Sequence, residues 1–123
     1  MRRIAPNPHP HEFVNNFCMT DARVVLTTLA DPDQANQLAR QLVKLHLAAC
    51  VNIVERVHSI YRWQGAIEAA DEVQLIIKTT AQHIPALKQA IERLHPYEMP
   101  ELIVLDIIDG SEKYVAWLRA VGE

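Results

Sequence analysis

The order of hydrophobic patterns along the chain predicts an α+β fold of the ferredoxin-like βαββαβ type. Two segments with helical spacing, 32–45 and 84–94, alternate with runs that are β-branched or apolar at every second position. The second and third strand patterns are separated only by a short turn, as in a split βαβ unit. We therefore expect an antiparallel four-stranded sheet with two helices on one face, a long hairpin formed by the second and third strands, and a C-terminal helix.

The first half of the domain predicts a strand, a helix and a second strand. Residues 23–29 form a short β-branched run. Asp31 and Pro32 mark a helix start, because aspartate caps the first turn and proline suits the first helical position. The following helix places apolar residues on one face, namely Ala35, Leu38, Ala39, Leu42 and Leu45. Between residues 49 and 61 the apolar period becomes two, which predicts the second strand.

The second half repeats this pattern. Residues 73–77 alternate as a third strand, and the next helix carries the apolar stripe Ile84, Leu87, Ile91 and Leu94. Residues 102–108 are nearly all apolar, which is typical of a strand covered on both faces. Asp109-Gly110-Ser111 predicts a turn and cap before a short C-terminal helix that can dock on the body of the domain.

The register of the hairpin follows from its apolar positions. Both strands carry these at odd-numbered residues, so a two-residue Gln64-Gly65 turn would place one apolar set on the wrong face. We therefore expect a three-residue loop, Trp63-Gln64-Gly65, with the glycine in a left-handed bulge position. In this register Arg56 faces Glu72 across the hairpin, a favourable pair of opposite charges.

The length of the hairpin predicts self-association. A strand over residues 50–63 spans about 46 Å at about 3.3 Å per residue, whereas a domain of about 100 residues is about 34 Å across. The hairpin tip therefore projects past its own core. Because projecting strands with unpaired edges need a cover, we expect copies of the chain to associate through the hairpin, with Arg56, Tyr61 and Trp63 at the interface.

Composition restricts the domain organisation and the class of partner. The chain has 123 residues, 50% of them hydrophobic, and a net charge of −3, so it lacks the basic surface that nucleic acids or membrane surfaces require. We expect residues 1–20 to form a disordered leader and residues 21–123 to form one folded domain. Two cysteines, Cys18 and Cys50, are too few for a disulfide framework, and a reducing cytoplasm is the simplest setting.

The segment His-Pro-Tyr-Glu-Met-Pro-Glu, residues 95–101, is the first candidate site. Its two prolines stiffen the connection between the second helix and the last strand. Nitrogen and oxygen ligands for a divalent ion are available there from His95, Glu98 and Glu101. The alternative is that His95 caps the preceding helix while both glutamates are solvated.

A second candidate is a small-ligand cleft between subunits. Aromatic walls with a few polar groups are typical of such pockets, and the chain offers Tyr61, Trp63, Glu72, Lys78 and Tyr97. The alternative is that these residues only pack at an interface. Three glycines cannot form a phosphate-binding loop, and no cysteine or serine lies in a nucleophile motif, so we expect a non-enzymatic protein.

Several ordered blocks resemble the divalent-cation tolerance protein CutA family over about residues 22–120. They are Ala48-Ala49-Cys50-Val51-Asn52, Tyr61-Arg62-Trp63-Gln64-Gly65, Glu72-Val73-Gln74, Lys78-Thr79-Thr80 and residues 95–101. The resemblance implies a ferredoxin-like cytoplasmic homotrimer built by strand pairing between subunits and linked to tolerance of copper and other divalent metals.

The resemblance also implies a possible cofactor, a divalent metal such as copper. Some relatives hold copper through a cysteine late in the first strand and two consecutive histidines before Pro-Tyr. Here Thr27 and Leu94 stand at the corresponding positions, and only His95 remains. Two other functions stay open: a signalling protein like the P-II trimers that binds a small ligand in inter-subunit clefts, and a structural trimeric scaffold.

Overall fold

The computed structural model describes residues 20–121, and its elements follow the predicted order. Their bounds are β1 Ala22–Leu29, α1 Pro32–Lys44, β2 Cys50–Trp63, β3 Ala66–Thr80, α2 Ile84–Leu94, β4 Ile103–Asp106 and α3 Glu112–Val121. The strands form one antiparallel sheet in the order β2-β3-β1-β4. This confirms the α+β, ferredoxin-like fold with its long hairpin and C-terminal helix. The predicted leader, apart from Thr20, lies outside the described residues.

Both ends of α1 are fixed by local hydrogen bonds. The Asp31 carboxylate accepts a bond of 2.9 Å from the Asp33 backbone N–H, and a proline follows at the first helical position, as predicted. At the other end, the Leu47 N–H donates to the Leu42 carbonyl at 3.0 Å, while His46 has a left-handed φ of 61°. This bond and backbone geometry form a Schellman motif, which turns the chain from α1 towards β2.

The main core lies between one face of the sheet and the helices α1 and α2. Its fully buried members alternate along the strands and recur at helical spacing, as in Val25, Leu29, Leu75, Ile77, Ala35, Leu42, Leu87 and Ile91. Burial of each large aliphatic side chain stabilises the fold by about 1.5–3 kcal/mol. Leu45 and Leu94, predicted on the apolar stripes, are instead 41% and 39% exposed, because they lie at the C-terminal ends of the two helices.

The turn of the hairpin differs from the predicted three-residue loop. Trp63 pairs directly with Ala66, so Gln64 and Gly65 form a two-residue turn, both with positive φ, 50° and 83°. A two-residue turn with positive φ at both positions matches the right-handed twist of the flanking strands. The predicted loop, and with it the bulge position of Gly65, was wrong.

With a two-residue turn, one set of apolar residues was expected on the wrong face of the hairpin. A β-bulge in β2 corrects this. The register shifts between Val54 and Val57, and Arg56 has a φ of 67° in the bulge. The extra residue moves the apolar positions nearer the core back to the correct face. It also places Val57, not Arg56, opposite Glu72, so the predicted cross-strand pair of Arg56 and Glu72 was wrong.

The last strand, β4, is not covered on both faces in the protomer. In the described part of the chain, residues 20–121, it forms an edge of the sheet and pairs only with β1. Its apolar residues Ile103, Val104 and Leu105 are 45%, 38% and 45% exposed. The helices α1 and α2 belong to the main core, and α3 packs through a small second cluster around Leu118. The prediction of a fully covered strand was therefore wrong for a single copy.

Replacing Thr27 by valine is expected to stabilise the fold by about 1–3 kcal/mol. The Thr27 hydroxyl is fully buried in β1 and finds no hydrogen-bond partner among residues 20–121, whereas valine has nearly the same shape and suits a strand. The matched control is Thr79→Val, because the Thr79 hydroxyl donates to the Leu47 carbonyl at 2.8 Å. Urea unfolding should give opposite signs for the two variants; equal signs would contradict the assignment.

Candidate functional site

The connector after α2 is anchored by the imidazole of His95. The ring is 6% exposed, and its Nε2 lies 2.8 Å from the carbonyl oxygen of Thr28, while Nδ1 accepts a 3.0 Å bond from the Tyr97 backbone N–H. Because a carbonyl only accepts, Nε2 carries the proton and the ring is the neutral Nε2–H tautomer. His95 thus joins the end of α2 to the end of β1.

The environment of His95 favours this neutral form. Burial lowers the pKa of His95, while the bond to Thr28 and the nearby charge of Glu72 act in the opposite direction with smaller effect. The His95 backbone N–H also donates to the Ile91 carbonyl at 2.8 Å, which ends the helix. The ring itself bonds to β1 and not to the preceding helix, so its role differs from the helix cap considered as an alternative.

Tyr97 extends the hydrogen-bonded chain to the base of the hairpin. Its hydroxyl donates to the Glu72 carboxylate at 2.9 Å, and its ring meets the His95 ring edge-on, with centroids 4.8 Å apart at 64°. Burial, followed by the bond to Glu72, raises the pKa of Tyr97 to about 12, against a smaller lowering by the Ala30 backbone. The phenol therefore stays protonated, and the chain Thr28–His95–Tyr97–Glu72 links β1, the connector and β3.

The three residues predicted to bind a metal do not fit a metal centre in this geometry. Both ring nitrogens of His95 are already hydrogen-bonded within the protein, and Glu98 and Glu101 are exposed. Across residues 20–121, no group of three or more His, Cys, Asp or Glu side chains is placed to hold a metal ion. Within the protomer both ring nitrogens of His95 make structural contacts and both glutamates are exposed, while the metal site at these three residues stays a prediction.

The predicted ligand-cleft residues are only partly brought together. Glu72 and Tyr97 are in contact, and Tyr61 is close enough for its charge to influence the pKa of Tyr97. Trp63 lies at the hairpin tip and is 48% exposed. Sequence reasoning missed Thr28 and its neighbour Ala30, because both contribute through backbone groups, and such groups leave no signal in the side-chain pattern.

Lys78 lies elsewhere in the protomer. It pairs with Val24 and Cys50 near the other end of β3, and its ammonium is 5.9 Å from the centre of the Tyr114 ring, a cation–π distance. Tyr114 in turn stacks on Trp117, with centroids 5.6 Å apart. Within one chain, Lys78 therefore belongs to the α3 side of the sheet and not to the group around Glu72.

The outer part of the hairpin presents large apolar side chains to solvent. Ile60 and Ile67 are 69% and 71% exposed, and Tyr61 is 44% exposed. Arg56, also predicted at the interface, lies exposed in the bulge between this part and the core. Exposed apolar patches of this kind mark interaction surfaces. No helix within residues 20–121 combines the length and apolar character needed to cross a membrane.

Comparison with known proteins places this geometry in a family. The family described as CutA1 divalent ion tolerance protein matches residues 23–121. The chain is 46% identical over 96 residues to the divalent-cation tolerance protein CutA of Thermus thermophilus, which covers 78% of this chain and 93% of that relative.

Solved structures agree with this match. CutA from Xylella fastidiosa is 38% identical with a TM-score of 0.82, covering 85% of this chain and 100% of that one. A protein described as the periplasmic divalent cation tolerance protein CutA from Archaeoglobus fulgidus is 28% identical with a TM-score of 0.80, covering 83% and 99%. The chain therefore belongs to the CutA1 divalent ion tolerance protein family.

Proposed function

We propose that this protein acts in divalent-cation tolerance as a non-enzymatic cytoplasmic homotrimer whose protomers associate through the β2-β3 hairpin. The proposal is based on one observation: part of the β2-β3 hairpin extends beyond the end of β1. Pairing between β1 and β3 stops at Leu29 and Val73, so within residues 20–121 the segment 66–72 of β3 pairs with β2 alone. A two-stranded ribbon is marginally stable by itself in water, and this one carries exposed apolar residues on both faces.

A second unpartnered surface supports a closed ring of copies. The outer edge of β4 is apolar and lacks a strand neighbour within the described part of the protomer. A hairpin on one side and an open strand edge on another allow a head-to-tail contact, which closes into a ring when the rotation fits. The resemblance to the CutA family implies that this ring contains three copies of the chain.

The test is the mass of the full chain in solution. Sedimentation equilibrium at several protein concentrations should give a single species of three times the 14.0 kDa of one chain. A folded particle of 14.0 kDa that persists at micromolar concentration would refute the proposal, since the hairpin would then be stable without a neighbour.

The proposed role in copper tolerance does not require a metal centre at His95. Calorimetric titration of Cu²⁺ into the full chain and into His95→Gln is expected to give the same affinity, because both nitrogens of the wild-type ring are engaged within the protein. The double variant Glu98→Gln/Glu101→Gln is the matched comparison, since it removes the two exposed carboxylates of the same segment, which in the wild type can contact the ion. A clear loss of affinity in His95→Gln, with an unchanged circular dichroism spectrum, would restore His95 as a ligand.

A further inference from the structure

We propose that the carboxylate of Glu72, together with Tyr97 and Tyr61, binds an organic ammonium ion. Glu72 is half-buried, and its carboxylate accepts a neutral hydrogen bond from the Tyr97 hydroxyl at 2.9 Å. The ion pairs of residues 20–121 use other carboxylates, those of Asp106, Asp71 and Asp21. Among residues 20–121, the half-buried Glu72 carboxylate therefore has no cation partner.

The bulge in β2 explains why the protein does not neutralise this charge itself. If the core-side register of Val54 and Gln74 continued without the bulge, Arg56 would lie opposite Glu72, whereas the observed register places the apolar side chain of Val57 there. A partly desolvated carboxylate with a single neutral donor gains free energy when a cation supplies further charge-assisted hydrogen bonds. The Tyr97 bond occupies Oε2 and leaves Oε1 as a ready acceptor.

The surroundings favour an organic cation over a metal ion or an anion. Strand register puts Tyr61 and its partner Glu68 on the same side of the ribbon as Glu72, separated from it by the small pair Ser59 and Ala70. Aromatic rings attract alkylammonium groups through their faces. A divalent metal would need several charged oxygen or nitrogen ligands, and the described residues offer no such group. Two carboxylates on one face repel anions.

The test uses n-butylammonium chloride as the probe and 1-butanol as its neutral counterpart, at constant ionic strength, with the full chain. Amide chemical shifts around Glu72 and Tyr97 are expected to titrate with the ammonium and not with the alcohol. Glu72→Gln should weaken the ammonium affinity by about tenfold or more. Asp71→Asn is the matched control: it removes a carboxylate one residue away, on the opposite face, where it pairs with His58.

Asp71→Asn should leave the ammonium affinity within about twofold of wild type, as expected for a distant exposed charge. Circular dichroism and sedimentation of each variant confirm that fold and assembly are retained. Equal affinities of wild type and Glu72→Gln, or a response to butanol as strong as that to the ammonium, would overturn the proposal. So would the absence of any shift near Glu72, because the charge would then be satisfied without an external cation.

Discussion

Trp63→Asp is expected to shift the protein from the assembled state towards folded single chains. Trp63 ends β2 at the hairpin tip, where its ring is 48% exposed in the protomer and free to pack against a neighbouring copy. Buried aromatic residues dominate most interfaces, and a charge in place of one costs about 2 kcal/mol or more. The concentration at which the assembly dissociates should therefore rise by about 30-fold or more. Sedimentation velocity over a dilution series measures this shift.

Gln64→Asp is the matched control for the hairpin variant. It adds the same charge at the neighbouring turn residue, whose φ of 50° aspartate tolerates, and it removes no apolar side chain. We expect its dissociation to resemble that of wild type. If Trp63→Asp dissociates no more readily than Gln64→Asp, the hairpin tip does not mediate assembly, and the apolar edge of β4 becomes the remaining surface to test.

His95→Ala is expected to lower the free energy of unfolding by about 3–5 kcal/mol. The substitution leaves a cavity and removes two hydrogen bonds, which strands the Thr28 carbonyl and the Tyr97 N–H in a buried place. His95→Asn, which retains an acceptor for Tyr97, and His95→Gln, which retains a donor for Thr28, should each lose less. Urea unfolding at one fixed protein concentration measures all three variants, since assembly adds to the apparent stability.

His83→Ala is the control for His95→Ala, because the hydrogen bond found for the His83 ring among residues 20–121 is a surface contact with the adjacent Gln82, at 3.4 Å. It should change the free energy of unfolding by about 0.5 kcal/mol or less. A loss as small as this for His95→Ala would show that the ring does not hold the connector to β1.

Stability should also depend on pH through His95. Its folded pKa lies below the unfolded value of 6.5, so the unfolded chain binds the proton first as the pH falls. The contribution of the neutral ring is complete above about pH 6.5 and is lost as the pH falls through the lower, folded pKa. The stability difference between wild type and His95→Gln should therefore shrink between about pH 7.5 and pH 5.5; a constant difference would contradict the neutral, buried ring.

The elements of this fold could be predicted from local chemistry. Asp31 and the proline after it start α1 as expected, and the apolar spacings of 3.6 and 2 give the helices and strands their buried faces. The sequence also placed Glu72 and Tyr97 in one small-ligand cleft; the structure joins these two residues by a hydrogen bond, and the cleft itself stays a prediction. The helix start and the apolar spacings depend on residues close in sequence, so the sequence alone shows them.

Other features depend on distant parts of the chain meeting. The backbone carbonyl of Thr28 accepts a hydrogen bond from the His95 ring, 67 positions away in the sequence. A backbone acceptor of this kind cannot be predicted from the pattern of side chains. This contact gives His95 a structural role that its sequence context did not predict.

By itself the sequence determined the order of the elements, the family, and a hairpin too long for one core to cover. The tertiary structure alone decided the register of that hairpin, the exposure of β4, and the isolation of the Glu72 charge from Arg56. The physical reason is that apolar periodicity fixes which face of a segment is buried, whereas a one-residue bulge or an absent neighbour changes which groups meet and leaves the periodicity almost unaltered.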